Sequence, residues 1–448
     1  MKRKLLILLA VLVLAAGCDS VLDTNPTASI DASQALQNER GVELAVTGAY
    51  SALQTDNIYG QEFNMIPDLY ADNLRFTGTF TNHAEFDNRN VFPSNVSVLF
   101  TWTDLYAGIN RVNNVIAGID GVEDISDAAR DRYLGEALAL RGLFYFNLVR
   151  YYGGVPLVLE PSAGVGPESS LARSTQQQVY SRIIDDLTDA IAILPESGNP
   201  FRFSRTGAQA LLAKVYLETG QWALARDMAT AVIGSGQYGL VDNYRDLFTI
   251  KNNSEAIFSV QFTVNDNNSQ AFWYFPQDLG GRLGYAPTDA SSSGPGNLVD
   301  AYLPQDTRFQ ASIGEIEGLY YGNKYYRIAN GDDNVYVLRL ADMYLTRAEA
   351  NTRLGADPET VVHPDINRIK LRAGIPDIDA SVTSESALVD AILNERRVEF
   401  AMEGHRFFDL RRTGRAMSVL GIPEFRLVFP IPQAELDVNT NLVQNQGY

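Results

Sequence analysis

The chain alternates between blocks that have helical periodicity and blocks that lack it. In the first half, apolar residues recur every three or four positions in four segments, which places them on one face of an α-helix. These stripes start near Val42, Trp102, Gly135 and Tyr180. The third ends at a Gly-Gly-Val-Pro sequence after Tyr152, a typical helix stop. The pattern predicts a mainly α-helical protein.

Two segments resemble the helix pairs of tetratricopeptide repeats. The first spans about 206–236, where small residues such as Ala213 let two helices approach closely and Tyr216 fills the groove between them. A second unit opens at Leu340, and helical patterns continue to about residue 403. Because such pairs cover their apolar faces only against neighbours, we expect several of them to stack.

Two long segments, about 56–100 and 238–335, interrupt this pattern with Asn, Asp, Gly, Ser and aromatic residues. Short β-like runs occur at Ala256–Phe262 and Val335–Leu338. Long irregular insertions in a helical protein are usually functional or disordered, and the interleaved aromatic residues favour folded loops. The sequence therefore predicts a helical scaffold that carries ligand-binding loops.

Composition and charge narrow the function. Of the 448 residues, 46% are hydrophobic and 20% are charged, which is the range of globular proteins and argues against wholesale disorder. The formal net charge of −18 repels phosphate backbones, so we expect no nucleic-acid partner.

The N-terminus carries the pattern of an export signal. Three basic residues precede the apolar run Leu5–Ala16, which is shorter than the ~20 residues that a spanning helix needs. Leu14–Cys18 resembles a bacterial lipobox, and Cys18 is the only cysteine, so it has no intramolecular disulfide partner. We expect cleavage before Cys18 and lipidation of its thiol; the alternative is an ordinary signal peptide with a chance cysteine.

Short motifs follow one another along nearly the whole chain. Any one of them could arise by chance, but their order and spacing together could not easily do so. They are Cys18–Asp19, Trp102–Tyr106, Ile109–Asn113, Gly135–Arg141, Tyr151–Leu157, Arg339–Leu345, Glu395–Phe400, Glu403–Arg412, Phe429–Pro432 and Gln444–Tyr448.

In order and spacing these motifs resemble the SusD/RagB family of nutrient-uptake lipoproteins. The resemblance implies a mainly α fold with tetratricopeptide-like helix pairs and a loop-rich ligand-binding face with short β-elements. It also implies a SusC-like TonB-dependent barrel as partner, over which the lipoprotein acts as a lid. Family members bind oligosaccharides or peptides and have no known catalytic role, so we expect an outer-membrane protein, lipid-anchored and facing the cell exterior.

The same resemblance sets the expected organisation of the chain. Residues 1–17 form the signal peptide and 18–31 a lipidated tether. Residues 32–236 form an N-terminal region with helix pairs. Residues 237–448 form the C-terminal region, with a loop-rich insert at about 238–335 followed by helices.

Aromatic faces beside planar polar groups are the parts that suit a sugar ligand. The run Phe272–Pro276 is the best candidate, with Trp273 and Tyr274 as binding residues; the alternative is a small core beneath the loop. A second candidate combines Asp72, Asn73, Arg75 and Phe80, in a region that corresponds to part of the binding face in the family. A third, formed by Tyr320-Tyr321 and Tyr325-Tyr326, is better explained by hairpin packing.

The sequence supports a catalytic function less well than it supports ligand binding. The segment Glu395–Arg412 is dense in Glu, Arg and His, which could perform acid–base chemistry. Arg residues beside carboxylates more often form a paired internal network, and we predict such a network here. Neither a nucleophile elbow nor a phosphate-binding loop occurs. A surface glycoside hydrolase and a lipidated helical adaptor remain the alternative functions.

We expect no cofactor. The three histidines, His83, His363 and His405, show no metal-ligand spacing. Calcium bound by loop oxygens is the one alternative, at Asp332–Asn334 or Asp266–Asn268, although such runs more often mark polar turns.

The predicted lipid anchor has a direct test. Because Cys18 is the expected acylation site, Cys18→Ser should move the protein from the membrane fraction to the soluble fraction. Fractionation of cells and mass spectrometry of the N-terminal peptide report the two properties. A mature protein with a free Cys18 thiol that stays soluble would contradict the assignment.

Overall fold

The structure, a computed structural model, describes residues 36–162 and 170–448. It is mostly helical, with 54% helix and 6% strand, which confirms the predicted fold class. The predicted signal peptide, Cys18 and the tether lie outside the described residues. Within the described ranges, every helix is too short or too polar to cross a bilayer.

Long helices dominate the first half of the chain, and shorter ones follow. The first half contains α1 (Glu39–Ser51), α2 (Glu62–Tyr70), α3 (Thr81–Asp87), α4 (Val96–Gly118), α5 (Asp127–Tyr152), α6 (Gln176–Ile193), α7 (Arg205–Glu218) and α8 (Trp222–Gly234). The second half contains α9 (Asp246–Thr249), α10 (Gln270–Tyr274), α11 (Arg308–Ser312), α12 (Leu340–Arg353), α13 (His363–Arg372), α14 (Glu385–Glu399), α15 (Arg406–Arg412), α16 (Ala416–Leu420) and α17 (Gln433–Val438).

The strands of the described residues form antiparallel pairs. The first pair joins distant parts of the chain, since β1 (Leu74–Phe76) pairs with β3 (Tyr285–Pro287). The second joins β2 (Ala256–Val260) to β6 (Val335–Arg339). The third is a hairpin of β4 (Ile313–Ile316) and β5 (Leu319–Gly322), which confirms hairpin packing for Tyr320 and Tyr321.

The central helix is α5. It begins where the Ser126 hydroxyl accepts a hydrogen bond from the Ala129 N–H, as an N-cap does. From Gly135 onward it is buried on all sides, because other helices surround it. It ends at Gly153, whose φ of +75° strains any residue with a Cβ. The predicted stop signal is confirmed.

The helices stack in chain order. Helices α4 to α8 each pack against the next, α8 packs against α12, and α12 packs against both α13 and α14. In the α7–α8 pair Ala213 and Ala225 are fully buried, and Tyr216 is 9% exposed between the helices. The predicted tetratricopeptide-like pair and its stacking are confirmed.

The expectation of irregular structure at 56–100 is wrong in part. The segment contains α2 and α3 as well as the start of α4. All nine residues of α2 are buried, including the polar Glu62, Asn64 and Asp68, and Pro67 lies inside the helix. Polar residues beside a proline indicate a loop in the sequence, whereas in the fold tertiary packing holds this segment as a helix.

The predicted ion network is confirmed in the C-terminal region. The carboxylate of Glu399 accepts hydrogen bonds from the guanidinium groups of Arg308, Arg339 and Arg372. Burial by itself would raise the pKa of Glu399, but these three cations together hold that pKa well below its usual range. The charge is therefore present at neutral pH and fully paired.

Charged side chains of the segment Glu395–Arg412 form similar buried ion pairs. Arg396 bonds Asp409 at 2.8 Å and Asp342 at 2.6 Å, and Arg412 bonds Glu349 at 2.8 Å. All of these side chains are largely buried. The acids and bases of this segment thus hold helices together inside the protein.

Removal of one charged side chain from this network should lower the stability of the protein. Glu399→Gln removes the one buried negative charge that Arg308, Arg339 and Arg372 share, so the free energy of unfolding should fall by about 3–5 kcal/mol. Glu385→Gln is the control, because its pair with Arg353 lies at the surface and should contribute about 1 kcal/mol or less. Urea denaturation followed by circular dichroism measures both, and equal losses would contradict the prediction.

Candidate functional site

Four side chains from three segments meet at the protein surface. Phe80 directly precedes α3, Phe272 and Trp273 belong to α10, and Arg282 lies in the loop before β3. Phe80 and Phe272 are each 42% exposed, Trp273 is half-buried, and Arg282 is exposed. We call these four residues the aromatic platform.

The rings of the platform meet edge to face. The Trp273 centroid lies 5.9 Å from that of Phe80 and 5.7 Å from that of Phe272, with interplanar angles of 65° and 80°. The guanidinium carbon of Arg282 lies 4.9 Å from the Phe80 centroid and 5.3 Å from the Trp273 centroid. These distances suit aromatic and cation–π attraction, so the four side chains support one another.

Backbone hydrogen bonds fix the platform from below. The N–H of Arg282 donates to the carbonyl of Phe272 at 2.7 Å, and the N–H of Gly284 donates to the carbonyl of Trp273 at 2.8 Å. Between them Leu283 adopts a φ of +47°, which turns the chain sharply. The loop that carries Arg282 is thereby fastened to α10.

Gly284 gives the Trp273 ring its place. A Cβ atom at position 284 would lie 2.5 Å from Cε3 of Trp273, closer than real Cβ contacts come. Only glycine leaves room for the indole against the backbone here. The absence of a side chain at Gly284 therefore determines where the Trp273 ring can lie.

A buried histidine lies beneath the platform. His83 is 5% exposed, and its ring centroid lies 6.0 Å from that of Phe80 and 6.1 Å from that of Trp273. Its Nε2 lies 3.2 Å from Glu62 Oε1 and its Nδ1 lies 2.9 Å from the Tyr285 hydroxyl. A carboxylate at Glu62 accepts from Nε2–H, which leaves Nδ1 to accept from Tyr285. Both ring nitrogens are thus hydrogen-bonded, which fixes the orientation of the ring.

The predicted residues Phe80 and Trp273 therefore belong to one surface. Sequence placed them in two separate candidates, about 190 positions apart. The β1–β3 pairing, with Phe76 opposite Tyr285, brings the two segments together. Arg75, on β1, is a third exposed, and its nearest acid is Asp289 at 3.8 Å.

Asp72 and Asn73 lie beneath the surface. Asp72 is 2% exposed and accepts from Arg406 Nε at 2.7 Å and Nη2 at 3.0 Å. Burial opposes its ionisation, but the Arg406 guanidinium outweighs this and lowers the pKa of Asp72. Asn73 is 1% exposed, accepts from Arg397 and donates to Asp68. Their polar atoms are bound internally, and they anchor the start of β1.

Tyr274 points into the core, unlike its neighbour Trp273. It is fully buried, with its ring 6.3 Å from that of Tyr285, and burial raises its pKa well above the usual value. The Phe272–Pro276 run is thus divided, since Trp273 reaches the surface and Tyr274 packs in a small core beneath it.

The Asp332–Asn334 run considered for calcium has protein partners. Asp333 accepts from Arg327 Nη1 at 2.8 Å and from the backbone N–H of Tyr326 and Arg327, and Asp332 pairs with Lys251 at 2.6 Å. In the ranges that the structure describes, His, Cys, Asp and Glu side chains nowhere gather in threes around a common metal position.

A concave groove of about 360 Å³ lies elsewhere, between α1 and β2. Concavity favours small-ligand binding. However, Arg202 in its wall is paired with Glu136 at 2.6 Å, and the Tyr50 hydroxyl accepts the Phe203 N–H. These two polar groups are engaged internally, and the platform presents exposed aromatic rings, so the platform is the better candidate.

The sequence missed Arg282 and the supporting role of His83. Neither residue lies in a recognisable motif. Their positions depend on hydrogen bonds between α10 and the following loop and on strand pairing, which no local pattern encodes.

Gly284→Ala should displace the indole of Trp273. The added Cβ cannot share the space of the ring, so Trp273 should move toward water and its fluorescence should shift to longer wavelength. Trp102 is buried in α4 and Trp222 begins α8, both outside the platform, so the emission of these two residues should stay constant. Gly294→Ala is the control, because nothing lies within 4 Å of its Cβ position. An unchanged spectrum in Gly284→Ala would contradict the packing.

Comparison with known proteins agrees with this architecture. Residues 317–424 match the SusD family, and residues 21–217 match a family described as starch-binding and associating with the outer membrane. A SusD-like protein of Formosa agariphila is 27% identical, over 96% of both chains. The starch-binding protein SusD of Bacteroides thetaiotaomicron is 24% identical, over 74% of this chain and 75% of its own.

The fold is shared with solved structures as well. A laminarin-binding SusD-like protein superposes with a TM-score of 0.81 and 28% identity, covering 92% of this chain and all of its own. The helical order, the paired strands and both sequence matches agree with one another. The chain belongs to the SusD/RagB-like family.

Proposed function

We propose that this protein is a cell-surface lipoprotein that binds an oligosaccharide at the aromatic platform and passes it to a SusC-like TonB-dependent transporter. The observation that carries the proposal is the platform itself. Two exposed phenylalanine rings, a half-buried indole and an exposed guanidinium lie together on otherwise well-packed loops.

The chemistry of the platform fits a pyranose. The C–H faces of a sugar ring are apolar and pack on aromatic rings, while its hydroxyl oxygens accept hydrogen bonds. Arg282 offers five N–H donors beside the rings of Phe80 and Trp273. Stacking and hydrogen bonding are therefore available within one ligand's reach.

The platform is also organised before a ligand arrives. Trp273 is held by its contact with Gly284, and His83 supports it from below through bonds to Glu62 and Tyr285. Side chains that are already ordered lose less entropy on binding, which raises affinity for a given contact area.

The relatives support a saccharide as ligand rather than a peptide. The matched family is described as starch-binding, one relative is named a starch-binding protein, and one solved structure is named laminarin-binding. Starch and laminarin are ligands of those proteins; for this chain we propose the class and not the particular glycan.

We propose binding without catalysis. Hydrolysis of a glycosidic bond generally needs two carboxyl groups that flank the bond. Beneath the platform Glu62 is buried and bonded to His83 and Ser97, and Asp72 is bonded to Arg406. These acids have internal roles, which favours a receptor over a hydrolase.

The anchor and the partner follow from the same proposal. Acylation of Cys18 would tether the helical body at the outer membrane, as the description of the matched family supports. Placed over a transporter barrel, the body would act as a lid that opens to release the ligand inward.

Loss of a platform ring should weaken saccharide binding. Trp273→Ala and Phe80→Ala each remove a stacking surface, so affinity for a bound oligosaccharide should fall about tenfold or more. Calorimetry against a panel of neutral and acidic oligosaccharides measures this.

Phe100→Ala is the matched control, because Phe100 is 48% exposed on α4 and lies outside the platform. It should leave affinity and thermal stability unchanged. If Trp273→Ala folds normally and binds as tightly as the wild type, the platform is not the ligand site. Release of reducing ends from any oligosaccharide of the panel would favour the hydrolase instead.

A further inference from the structure

Arg282 differs from the buried arginines of this protein. Within the described residues its guanidinium has no carboxylate within ion-pair distance and no hydrogen-bond acceptor, and its only side-chain contacts of note are the two rings. Its own N–H is bonded to Phe272, so the residue is fixed at its backbone while its charged end remains free.

An arginine side chain without an acidic partner is unusual in a chain that carries a net negative charge. Acidic residues exceed basic ones by 54 to 36. Arginines such as Arg308, Arg339 and Arg406 are each bonded to one or more carboxylates. An exposed arginine without an acidic partner, placed between two rings of the proposed binding surface, is thus available for a ligand.

We infer that the aromatic platform selects saccharides that carry an anionic group, a carboxylate or a sulfate ester, which pairs with Arg282. The inference rests on the proposed function, since it assigns the ligand class of the same site.

The geometry supports an anion more specifically than a neutral hydroxyl. The guanidinium presents parallel N–H groups that match two oxygens of a carboxylate or a sulfate, whereas a hydroxyl uses one of them. The guanidinium carbon lies 4.9 Å and 5.3 Å from the centroids of Phe80 and Trp273. A sugar that contacts either ring therefore places its substituents beside this cation.

A second partly exposed cation lies on the strand pair that supports the platform. Arg75 lies on β1, whose next residue, Phe76, pairs with Tyr285 beneath the platform. Its only acid within ion-pair reach in the described ranges is Asp289, at a loose 3.8 Å, and a third of its side chain is exposed. Because Arg75 and Phe76 point to opposite faces of β1, Arg75 is not assigned to the platform.

The negative net charge does not remove this preference. At physiological ionic strength the Debye length is about 8 Å, so acidic residues far from the platform are largely screened. Long-range repulsion slows the approach of an anionic ligand, but the contact with Arg282 governs how long the ligand stays.

Matched ligand pairs test the inference. Calorimetry on the full mature chain would compare an oligosaccharide containing glucuronic acid with its carboxyl-reduced, neutral counterpart. It would also compare a sulfated galactan oligosaccharide with its desulfated counterpart. The proteins are the wild type, Arg282→Gln, Arg282→Lys, Trp273→Ala and the control Arg226→Gln, an exposed arginine on α8 outside the platform.

The expected result is a preference that depends on Arg282. At least one anionic ligand should bind the wild type about tenfold more tightly than its neutral counterpart. Arg282→Gln should abolish that difference by weakening the binding of the anionic ligand more than that of its neutral counterpart, Arg282→Lys should retain part of it, and Arg226→Gln should retain all of it. The pair that shows the difference identifies the group as carboxylate or sulfate.

The negative outcomes separate the two proposals. Equal affinity within both pairs, or an equal loss for charged and neutral ligands in Arg282→Gln, would reject the anionic class while the platform stands. If Trp273→Ala changes the affinity for none of the ligands that the wild type binds, the site itself is misplaced and the proposed function fails.

Discussion

The antiparallel pairing of β1 with β3 is the constraint on which the candidate site depends. Three residues on each side, from Leu74 opposite Pro287 to Phe76 opposite Tyr285, join segments about 210 positions apart. A strand pair this short is not stable alone. It persists because Asp72, just before β1, is locked by two hydrogen bonds to Arg406 in the C-terminal helices. The buried ion pair between Asp72 and Arg406 therefore fixes the position of β1, and with it one side of the surface site.

Buried charge has a similar role through the C-terminal half. The carboxylate of Glu399 is surrounded by three guanidinium groups, and Arg339 connects it to Glu255 and Glu403. Burying so many charges gains little net stability, but each partner is costly to lose once the network is formed. Such a network favours one arrangement of helices over near alternatives. The loops above then keep a single geometry, which a preformed binding surface requires.

The residues predicted for the ligand site differ in their exposure. Phe80 and Trp273 were candidates on sequence grounds because exposed rings beside polar groups suit sugars. Asp72 and Asn73, chosen for the same reason, are buried supports, and Tyr274 packs in the core. Burial separates these outcomes: a polar residue in an aromatic-rich loop can face a ligand or an internal arginine, and local composition is the same in both cases. Arg282 carried no local signal and becomes notable only through its two ring contacts.

The sequence by itself determined the helical class, the α7–α8 pair, the stop of α5 at Gly153 and the family, because periodicity, caps and motif order are written along the chain. It also indicated two of the platform residues, Phe80 and Trp273. Only the tertiary structure decided that these two lie 5.9 Å apart, that α2 is a helix, and that Arg282 lacks an acidic partner among the described residues. The physical reason is that contacts between distant segments depend on which strands pair and which side chains are buried, and the whole folded chain decides both, not the neighbouring residues.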